Sequence, residues 1–468
     1  MKDIKKAPIL TAFLIAGFIG LFSETALNMA LQQLIVDLSV APTTIQWLTT
    51  GYLLTLGVLV PISGLLVQKF TTRQLFLTSL TFSIIGTIVA AMAPTFIVLL
   101  IARIIQAIGT AILLPVMFNT ILMIFPIEKR GSAMGLMGLV IMFAPAISPT
   151  ASGIILEYFT WHYIFWITLP PLVFALIFGY MYMQNVGELT NPKIDILSVV
   201  FSTIGFGGIV YGFSIAGEHG WGDSIVISVI TLGVIGLALF SIRQTKLEKP
   251  MINLRILKYP MFVIGLLSVF IAFMCILSTM ILLPMYLQTT LALATFAAGL
   301  LLLPGGLING FFAPIVGRLF DTYGARVLVI PGFVIIIVTY LFFMQIDETT
   351  SQFQIVLLHS ILMIGVSLVM APAQTNGLNQ LPRELYPDGT ALMNTLQQVS
   401  GAIGTAIAIT IMSSSQENYL IDNPNASVQD GFIHGVQSSF TFGLIMAIIG
   451  FVLSLFIKSK KHLQSNQP

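Results

Sequence analysis

Long apolar runs with almost no charged residue recur along the whole chain, and they constrain its fold more than any other feature. Short polar breaks separate about fourteen runs, each close to the ~20 residues that a helix needs to cross a bilayer. The approximate runs are 8–31, 45–67, 75–93, 96–121, 132–156, 163–184, 195–216, 224–243, 261–287, 293–315, 327–345, 353–375, 389–413 and 437–457. Because every backbone polar group in lipid needs a hydrogen bond, such runs predict helices. We therefore predict an all-α integral membrane protein with fourteen transmembrane helices.

The composition points the same way, since 57% of the residues are hydrophobic and only 8% are charged. A soluble domain needs roughly 25% charged residues to cover its surface, so lipid must solvate most of this chain. The single cysteine, Cys275, excludes a disulfide framework. The five scattered histidines offer no zinc spacing, and the net charge of +2 predicts no nucleic-acid partner. We expect neither a metal nor a cofactor.

The lysines and arginines test the number of spans independently. If the N-terminus is cytoplasmic, every lysine and arginine except Arg103 falls in a cytoplasmic segment, as the positive-inside rule requires. An even number of spans with both termini in the cytoplasm follows, in a bacterial-type cell membrane. The first run follows Lys5 and Lys6 but holds no small-residue cleavage site before Glu24. We interpret it as a retained helix rather than a signal peptide.

The domain organisation is suggested by one basic, proline-containing connection at residues 244–260, which we interpret as a linker between two bundles. We expect an N-terminal six-helix bundle over 1–187, an inserted helix pair over 188–245 and a C-terminal six-helix bundle over 246–468. Four glycines, at positions from 205 to 212, lower the hydropathy of the inserted pair and make it the least distinct of the predicted spans. No Walker A sequence GxxxxGK[ST] occurs, which excludes transport driven by ATP on this chain.

Two short connections repeat one pattern of glycine, polar residue and arginine. The copy after the tenth run reads Gly317-Arg-Leu-Phe-Asp321-Thr-Tyr-Gly324-Ala-Arg326, and the copy after the second run extends from Gly64 to Arg73. Both resemble the GxLxDRxGR loop of the major facilitator superfamily, a signature of duplicated six-helix halves. The acid of this loop can cap or pair with a neighbouring helix end. The first copy departs from the pattern, with Gln68 for the acid and Thr71 for the glycine. The alternative is two ordinary basic loops.

The fourth run contains Arg103-Ile-Ile-Gln106-Ala-Ile-Gly109, which resembles the RxxQGxG motif of the same family. An arginine in hydrocarbon costs at least ~2.5–3.5 kcal/mol on insertion scales, so it marks a functional site by default. The alternative is that Arg103 extends to the outer surface along its apolar stem.

The fifth run contains Ala144-Pro145-Ala-Ile-Ser148-Pro149-Thr-Ala-Ser152-Gly153, which resembles the antiporter motif GPxxGG. Serines replace two of its glycines, at 148 and 152. Closely spaced prolines and small residues bend a helix and let its neighbour approach, which suits a hinge that seals the outer route. The alternative is a kinked helix with a structural role alone.

The first run contains Ser23-Glu24-Thr25-Ala-Leu-Asn28-Met-Ala-Leu31, which resembles the D-x-T-x-x-N-x-A-L segment of fourteen-spanner drug:proton antiporters, the EmrB/QacA-type exporters. The carboxylate stands one place later than the family acid, which rotates it by ~100° on the helix. This departure, with Pro372–Pro382 and Met393–Gln398, resembles the lincomycin-efflux-like subgroup. The resemblance covers nearly the whole chain.

Glu24 is the one acid near the middle of a predicted span. An ionised carboxylate is expensive there, so we expect Glu24 to bind and release a proton near neutral pH, with Arg103 and Gln106 tuning that exchange. A constitutively paired structural acid is the alternative. Glu157, near the outer end of the fifth run, is a second candidate for proton coupling, or simply a solvated helix end.

Several polar or aromatic residues inside the predicted spans are candidates for lining a substrate cavity. For each of them, a hydrogen bond between helices is an alternative role. With Glu24, the candidate substrate-binding residues are Asn28, Tyr52, Gln106, Asn119, Tyr286, Asn309, Gln374, Asn394 and Gln398.

The resemblance implies a proton-coupled multidrug efflux antiporter that exports hydrophobic or cationic drugs and antibiotics by alternating access. Its partners would be small-molecule drugs, protons and the lipid bilayer, and we expect a monomer. The alternative within transport is a narrow-specificity exporter or importer of one nutrient, lipid or antibiotic. An enzyme would need clustered catalytic groups within the spans, and a sensor would need a soluble output domain. We predict neither.

Overall fold

The computed structural model describes residues 6–40, 42–186, 189, 195–248 and 250–458. Within these residues, fourteen helices are long and apolar enough to cross a membrane. We number them α1 (Lys6–Ala26), α2 (Trp47–Lys69), α3 (Thr72–Ala91), α4 (Phe96–Ile124), α5 (Arg130–Tyr158), α6 (His162–Tyr182), α7 (Ile196–His219), α8 (Ser224–Lys246), α9 (Pro260–Thr289), α10 (Thr295–Tyr323), α11 (Arg326–Phe343), α12 (Gln352–Asn379), α13 (Tyr386–Asp422) and α14 (Val428–Leu455). The predicted fold class and number of spans are confirmed.

The last two helices extend beyond the predicted apolar runs. Helix α13 continues to Asp422, past the predicted end at 413, and α14 begins at Val428 instead of 437. Hydropathy marks only the apolar stretch of a helix, whereas the helix itself continues until its backbone is capped or broken. Pro424 follows α13 closely and cannot continue a helix. Ser427 and Asp430 form a capping box that starts α14.

The first predicted span, 8–31, is not one continuous α-helix. Helix α1 ends at Ala26, a 3-10 turn follows over Leu27–Ala30, and a short helical segment covers Leu31–Asp37. The change of hydrogen-bond ladder comes directly after Glu24. Carbonyls in the last turn of an α-helix lack their usual partners four residues on, so they are available to other donors.

The start of α3 explains one departure of the first loop motif. Thr71, which stands where the motif has glycine, is the N-cap of α3. Its hydroxyl accepts from the Gln74 backbone N at 3.2 Å, and the Gln74 side chain accepts from the Thr71 backbone N at 3.0 Å. This reciprocal capping box needs a hydroxyl. In the second copy the matching Gly324 has a positive φ of 82°, which favours glycine.

The chain divides into two compact units. The first contains residues 1–125, 140–254 and 383–399, and the second contains 126–139, 255–382 and 400–468. Both α5 and α13 therefore contribute to both units. The predicted organisation into two bundles and an inserted pair stays a prediction.

Glycines hold the helix pair α7–α8 together. A Cβ on Gly208 would lie 2.9 Å from the Gly233 Cα, and a Cβ on Gly236 would lie 2.8 Å from the Gly205 backbone N. The two backbones thus approach closely, as small residues allow between helices in lipid. The glycines that weaken the hydropathy signal of this pair form its packing surface. Within the first unit, α7 also packs against α2.

Candidate functional site

Arg103 lies fully buried on α4, in the first unit. Its guanidinium donates to the backbone carbonyl oxygens of Ser23 at 2.7 Å and Glu24 at 3.0 Å, at the end of α1. It also donates to the Leu48 carbonyl oxygen at 3.4 Å and to the Gln106 side-chain oxygen at 3.2 Å. An arginine that reached the outer surface would be exposed, so the alternative of an arginine extending to that surface is wrong. Arg103 instead joins α1, α2 and α4.

The ring of Tyr52 on α2 covers the guanidinium, with 4.3 Å between the Arg103 Cζ and the ring centroid. A cation over an aromatic face is attracted by the ring quadrupole, and more strongly where water is excluded. The Tyr52 hydroxyl is 2.7 Å from the Thr110 hydroxyl on α4. Tyr52 is itself completely buried. The predicted cavity residue is therefore part of the shell that holds the arginine.

A second hydroxyl, that of Thr87, bonds Gln106, which in turn contacts Arg103. The Gln106 amide donates to the Thr87 hydroxyl of α3 at 2.9 Å, which leaves the Gln106 oxygen to accept from Arg103. Close contact between α3 and α4 makes this possible, because a Cβ on Gly86 would lie 2.8 Å from the Gln106 backbone N. The two threonines lie outside every recognised motif. The available signal was a hydroxyl in an apolar helix, which is too common to single out.

Glu24 lies in the last turn of α1, and its side chain is partly exposed. Its carboxylate is within electrostatic range of Arg103 and Tyr52. Asp195 and Arg243 form an ion pair, whereas within the described residues none joins the side chains of Glu24 and Arg103. A carboxylate near a buried cation can accept a proton or bind a second cation, and each event changes the electric field at the arginine.

The antiporter-like segment of α5 contacts α1 two residues before Glu24. The Ser148 hydroxyl, in the place of a motif glycine, donates to the Phe22 carbonyl oxygen at 3.2 Å. Helix α5 runs unbroken through Pro145 and Gly153, both partly exposed. The side chains of Pro149 on α5 and Asn28 after α1 lie outside the described residues. The substitution of serine for glycine thus supplies a hydrogen bond between α5 and α1.

The other predicted site residues fall into three groups. Tyr286 and Asn309 donate to backbone oxygens of Asp347 at 2.5 Å and Met363 at 3.1 Å, as hydrogen bonds between elements of the second unit. Three buried amides have one polar atom without a hydrogen-bond partner within the described residues: Asn119, Gln374 and Asn394. Two are accessible: Gln398 is partly exposed, and Glu157 is exposed in the last turn of α5. Of the predicted set, the structure brings together Glu24, Tyr52, Arg103 and Gln106.

The second loop motif caps a helix from outside. Asp321, at the end of α10, accepts from the backbone N of Gly131 at 2.7 Å and of Ser132 at 2.8 Å, and from the Ser132 hydroxyl at 2.5 Å. These groups start α5, so the carboxylate meets a helix N-terminus. Gly317 lies directly against Gly131. Arg326 begins α11 and is exposed.

The first loop motif has different contacts. Gly64 lies against the start of α13, since a Cβ there would be 3.0 Å from the Ala391 Cβ. Arg73, on α3, donates to the Tyr180 carbonyl oxygen at 2.8 Å, and its Cζ lies 4.9 Å from the Tyr180 ring centroid. Arg73 therefore holds α3 to the end of α6.

These motifs, the all-helical fold and the fourteen candidate spans are those of a membrane transporter. The Major Facilitator Superfamily profile matches residues 13–405, and the chain belongs to that family. It is a multi-pass protein of the bacterial cytoplasmic membrane.

The similar proteins narrow the class further. The chain is 62% identical over 463 residues to the lincomycin resistance protein LmrB of Listeria monocytogenes, covering 98% of each chain. It is 60% identical over 466 residues to LmrB of Bacillus subtilis, covering 98% of this chain and 97% of that one. The multidrug export protein EmrB of Haemophilus influenzae is 26% identical over 442 residues, with 92% and 86% of the two chains covered.

Two solved structures share the fold. The proton:xylose symporter XylE superposes with a TM-score of 0.67 at 14% identity, covering 97% of this chain and 96% of that chain. The human organic anion transporter MFSD10 superposes with a TM-score of 0.66 at 11% identity, covering 97% and 100%. At such low identity these likenesses establish the fold alone.

Proposed function

We propose that this protein is a proton-coupled efflux antiporter that exports hydrophobic or cationic drugs and antibiotics by alternating access. The observation that carries the proposal is the acid Glu24, in a transmembrane helix, beside the fully buried Arg103. The names of the lincomycin resistance proteins, at 60–62% identity over nearly the full length, support export of antibiotics.

The geometry supports a competition at Glu24. The carboxylate can hold a proton or face a cationic drug, but the two neutralise the same charge, so they exclude one another. Arg103 stays in place in both states, because its donors are engaged by backbone oxygens of Ser23 and Glu24 and by Gln106. Drug binding would thus release the proton. The proposed cycle uses the proton as coupling ion, is carried out by a monomer, and involves no cofactor, covalent step or enzymatic activity.

A dedicated exporter of one antibiotic class is the second candidate function. Three similar proteins that cover this chain almost completely are all named for lincomycin resistance. Efflux of lincomycin without efflux of cationic dyes would favour this narrow function over multidrug export.

Substrate-induced proton release from purified protein tests the proposal. Wild type, Glu24→Gln and the control Asp430→Asn, at an exposed acid of α14, would be titrated with lincomycin and with ethidium in weakly buffered detergent solution. We expect proton release in wild type and the control, and none in Glu24→Gln. Release that persists in Glu24→Gln would move the coupling site to another acid. The absence of release with a compound that binds wild type would contradict antiport.

A further inference from the structure

The starts of α5 and α13 repeat one another in register. Each helix follows a proline and one 3-10 turn, Ile127–Lys129 before α5 and Arg383–Leu385 before α13. A loop-motif glycine lies against each start: Gly317 contacts Gly131, and a Cβ on Gly64 would be 3.3 Å from the Pro387 carbonyl oxygen. Position 387 on α13 therefore corresponds to 131 on α5, and position 388 corresponds to 132.

In this register, the two contacts between a loop motif and a helix start carry their carboxylate on different partners. On α5 the residue is Ser132, and it meets Asp321, four residues after Gly317. On α13 the corresponding residue is Asp388, and the residue four places after Gly64 is Gln68. One contact thus has its acid on the loop motif and the other has its acid on the helix start. Pro387 fits this exchange, because it has no N–H to donate to an acid at position 68, whereas Gly131 donates to Asp321.

Asp388 is almost fully buried, with 4% of its surface exposed. A buried carboxylate needs hydrogen-bond donors, and Asp388 accepts from the backbone N of Asn253 at 2.9 Å. Asn253 belongs to the linker that follows α8. The start of α13 is therefore tied to the linker, within the first unit.

The helix pair α7–α8 holds that linker in place. The Gln244 side-chain oxygen, at the end of α8, accepts from the backbone N of Met251 at 2.7 Å and of Ile252 at 3.4 Å. The Gln244 amide donates to the Ser198 hydroxyl of α7 at 2.7 Å. Gln244 has only 3% of its surface exposed, so one buried side chain joins both helices of the pair to the linker.

We propose that Asp388 supplies the carboxylate that the first loop motif lacks, and that α7–α8 position it through Gln244 and Asn253. The inserted pair then has a mechanical role, since it sets the N-terminus of α13 against α2 at Gly64. Asp388 is a positioning residue in this role and contacts no substrate. The inference rests on the proposed transport function for its activity readout, and a second readout is independent of transport.

A charge-swap cycle tests the first part. Full-length wild type, Asp388→Ser, Gln68→Asp and the double variant would be compared for ethidium and lincomycin efflux in proteoliposomes. We expect each single variant to lose roughly tenfold or more of its efflux, because the contact between the first loop motif and the start of α13 has no carboxylate in Asp388→Ser and two in Gln68→Asp. The double variant puts the single carboxylate on the loop motif, as in the Asp321–Ser132 contact, but Pro387 supplies no N–H to it, so efflux should recover only in part, to at least about threefold above that of Asp388→Ser. The proposal would be overturned if the double variant showed neither more efflux nor better folding than Asp388→Ser. It would also be overturned if Asp388→Ser kept full wild-type efflux.

Amide hydrogen exchange tests the second part in the same protein samples. Gln244→Leu should increase exchange at Met251, Ile252 and Asn253, and Asp388→Ser should increase it at Asn253. The matched control is Thr245→Val, since the exposed Thr245 bonds only the Ile242 carbonyl of its own helix. Unchanged exchange in Gln244→Leu would overturn the positioning role. This result stands even if neither compound is transported, so it separates failure of the inference from failure of the proposed function.

Discussion

The guanidinium of Arg103 donates to the backbone carbonyl oxygen of Glu24 at 3.0 Å, so the arginine holds the helix end that carries the acid. Protonation of the carboxylate would leave this hydrogen bond intact, because the acceptor belongs to the main chain. The guanidinium is thereby held in place relative to the main chain of Glu24. In the proposed cycle, Glu24 would therefore exchange a proton while its surroundings keep their geometry.

Replacement of Arg103 by lysine should impair both folding and transport. One ammonium group cannot reach the oxygens of Ser23, Glu24 and Gln106 together, and each buried acceptor left unpaired costs about 1–3 kcal/mol. We expect a lower melting temperature and at least about a tenfold loss of efflux for Arg103→Lys. The control is Arg318→Lys, at an exposed position of α10. Wild-type efflux by Arg103→Lys would contradict the role of the planar guanidinium.

Thr87→Val should destabilise the protein by about 1–3 kcal/mol, because the buried Gln106 amide loses its acceptor. Thermal unfolding in detergent measures this loss. Thr81→Val on the same helix is the control, since the exposed Thr81 hydroxyl bonds only the Leu77 carbonyl of α3. If the two valine variants melt at the same temperature, the Thr87–Gln106 bond contributes no net stability.

Gly86→Ala should separate α3 from α4. The added Cβ would lie 2.8 Å from both the Ala102 carbonyl oxygen and the Gln106 backbone N, so the helices must move apart. Overpacking of this kind costs typically about 1–3 kcal/mol. Gly299→Ala, on α10 in open space, is the matched helical control and should melt at or above the wild-type temperature. A stable Gly86→Ala variant would show that the contact can relax.

Asp195→Asn should remove a pH-dependent part of the stability. Arg243 forms a two-pronged pair with Asp195, at 2.5 and 2.7 Å, and this pairing holds the pKa of Asp195 well below its usual value. A depressed pKa in the folded state stabilises the protein above the unfolded-state value, about 3.9, and the contribution is lost as the pH falls toward the folded-state value.

Melting temperatures between pH 7 and pH 3 measure this contribution. The difference between wild type and Asp195→Asn should be largest near neutral pH and should shrink below about pH 4. Glu248→Gln, at an exposed acid after α8, controls for the loss of one negative charge. A difference that stays constant across this range would show that the ion pair contributes nothing that titrates.

The membrane spans were predictable because the bilayer imposes a simple rule on the sequence. Each crossing needs about 20 apolar residues with an internally bonded backbone, so the runs can be read one after another. The ends of α13 and α14 were less predictable, since the Pro424 break and the Ser427 cap lie in polar sequence beyond the apolar runs. The break after α1 also left no sequence signal.

Part of the candidate site could also be predicted from the sequence. Glu24 and Arg103 stand out because charged residues are costly in apolar helices, and Tyr52 and Gln106 because polar and aromatic groups are notable there. Thr87 and Thr110 do not stand out, because a threonine can satisfy its hydroxyl on its own helix. Asp388 does not stand out in the sequence either, because it lies next to other polar residues at the start of α13.

The sequence by itself determined the class of the protein and the number of its helices, and it singled out Glu24 and Arg103 as candidates, because the cost of placing a residue in lipid depends mainly on that residue. Tertiary structure decided which atoms those side chains meet. Arg103 donates to the backbone carbonyl of Glu24, and Asp388 accepts from the backbone N of Asn253, across long stretches of chain. Such contacts depend on how the helices pack, and a backbone carbonyl or N–H is the same at every residue type, so no sequence pattern marks it as a partner.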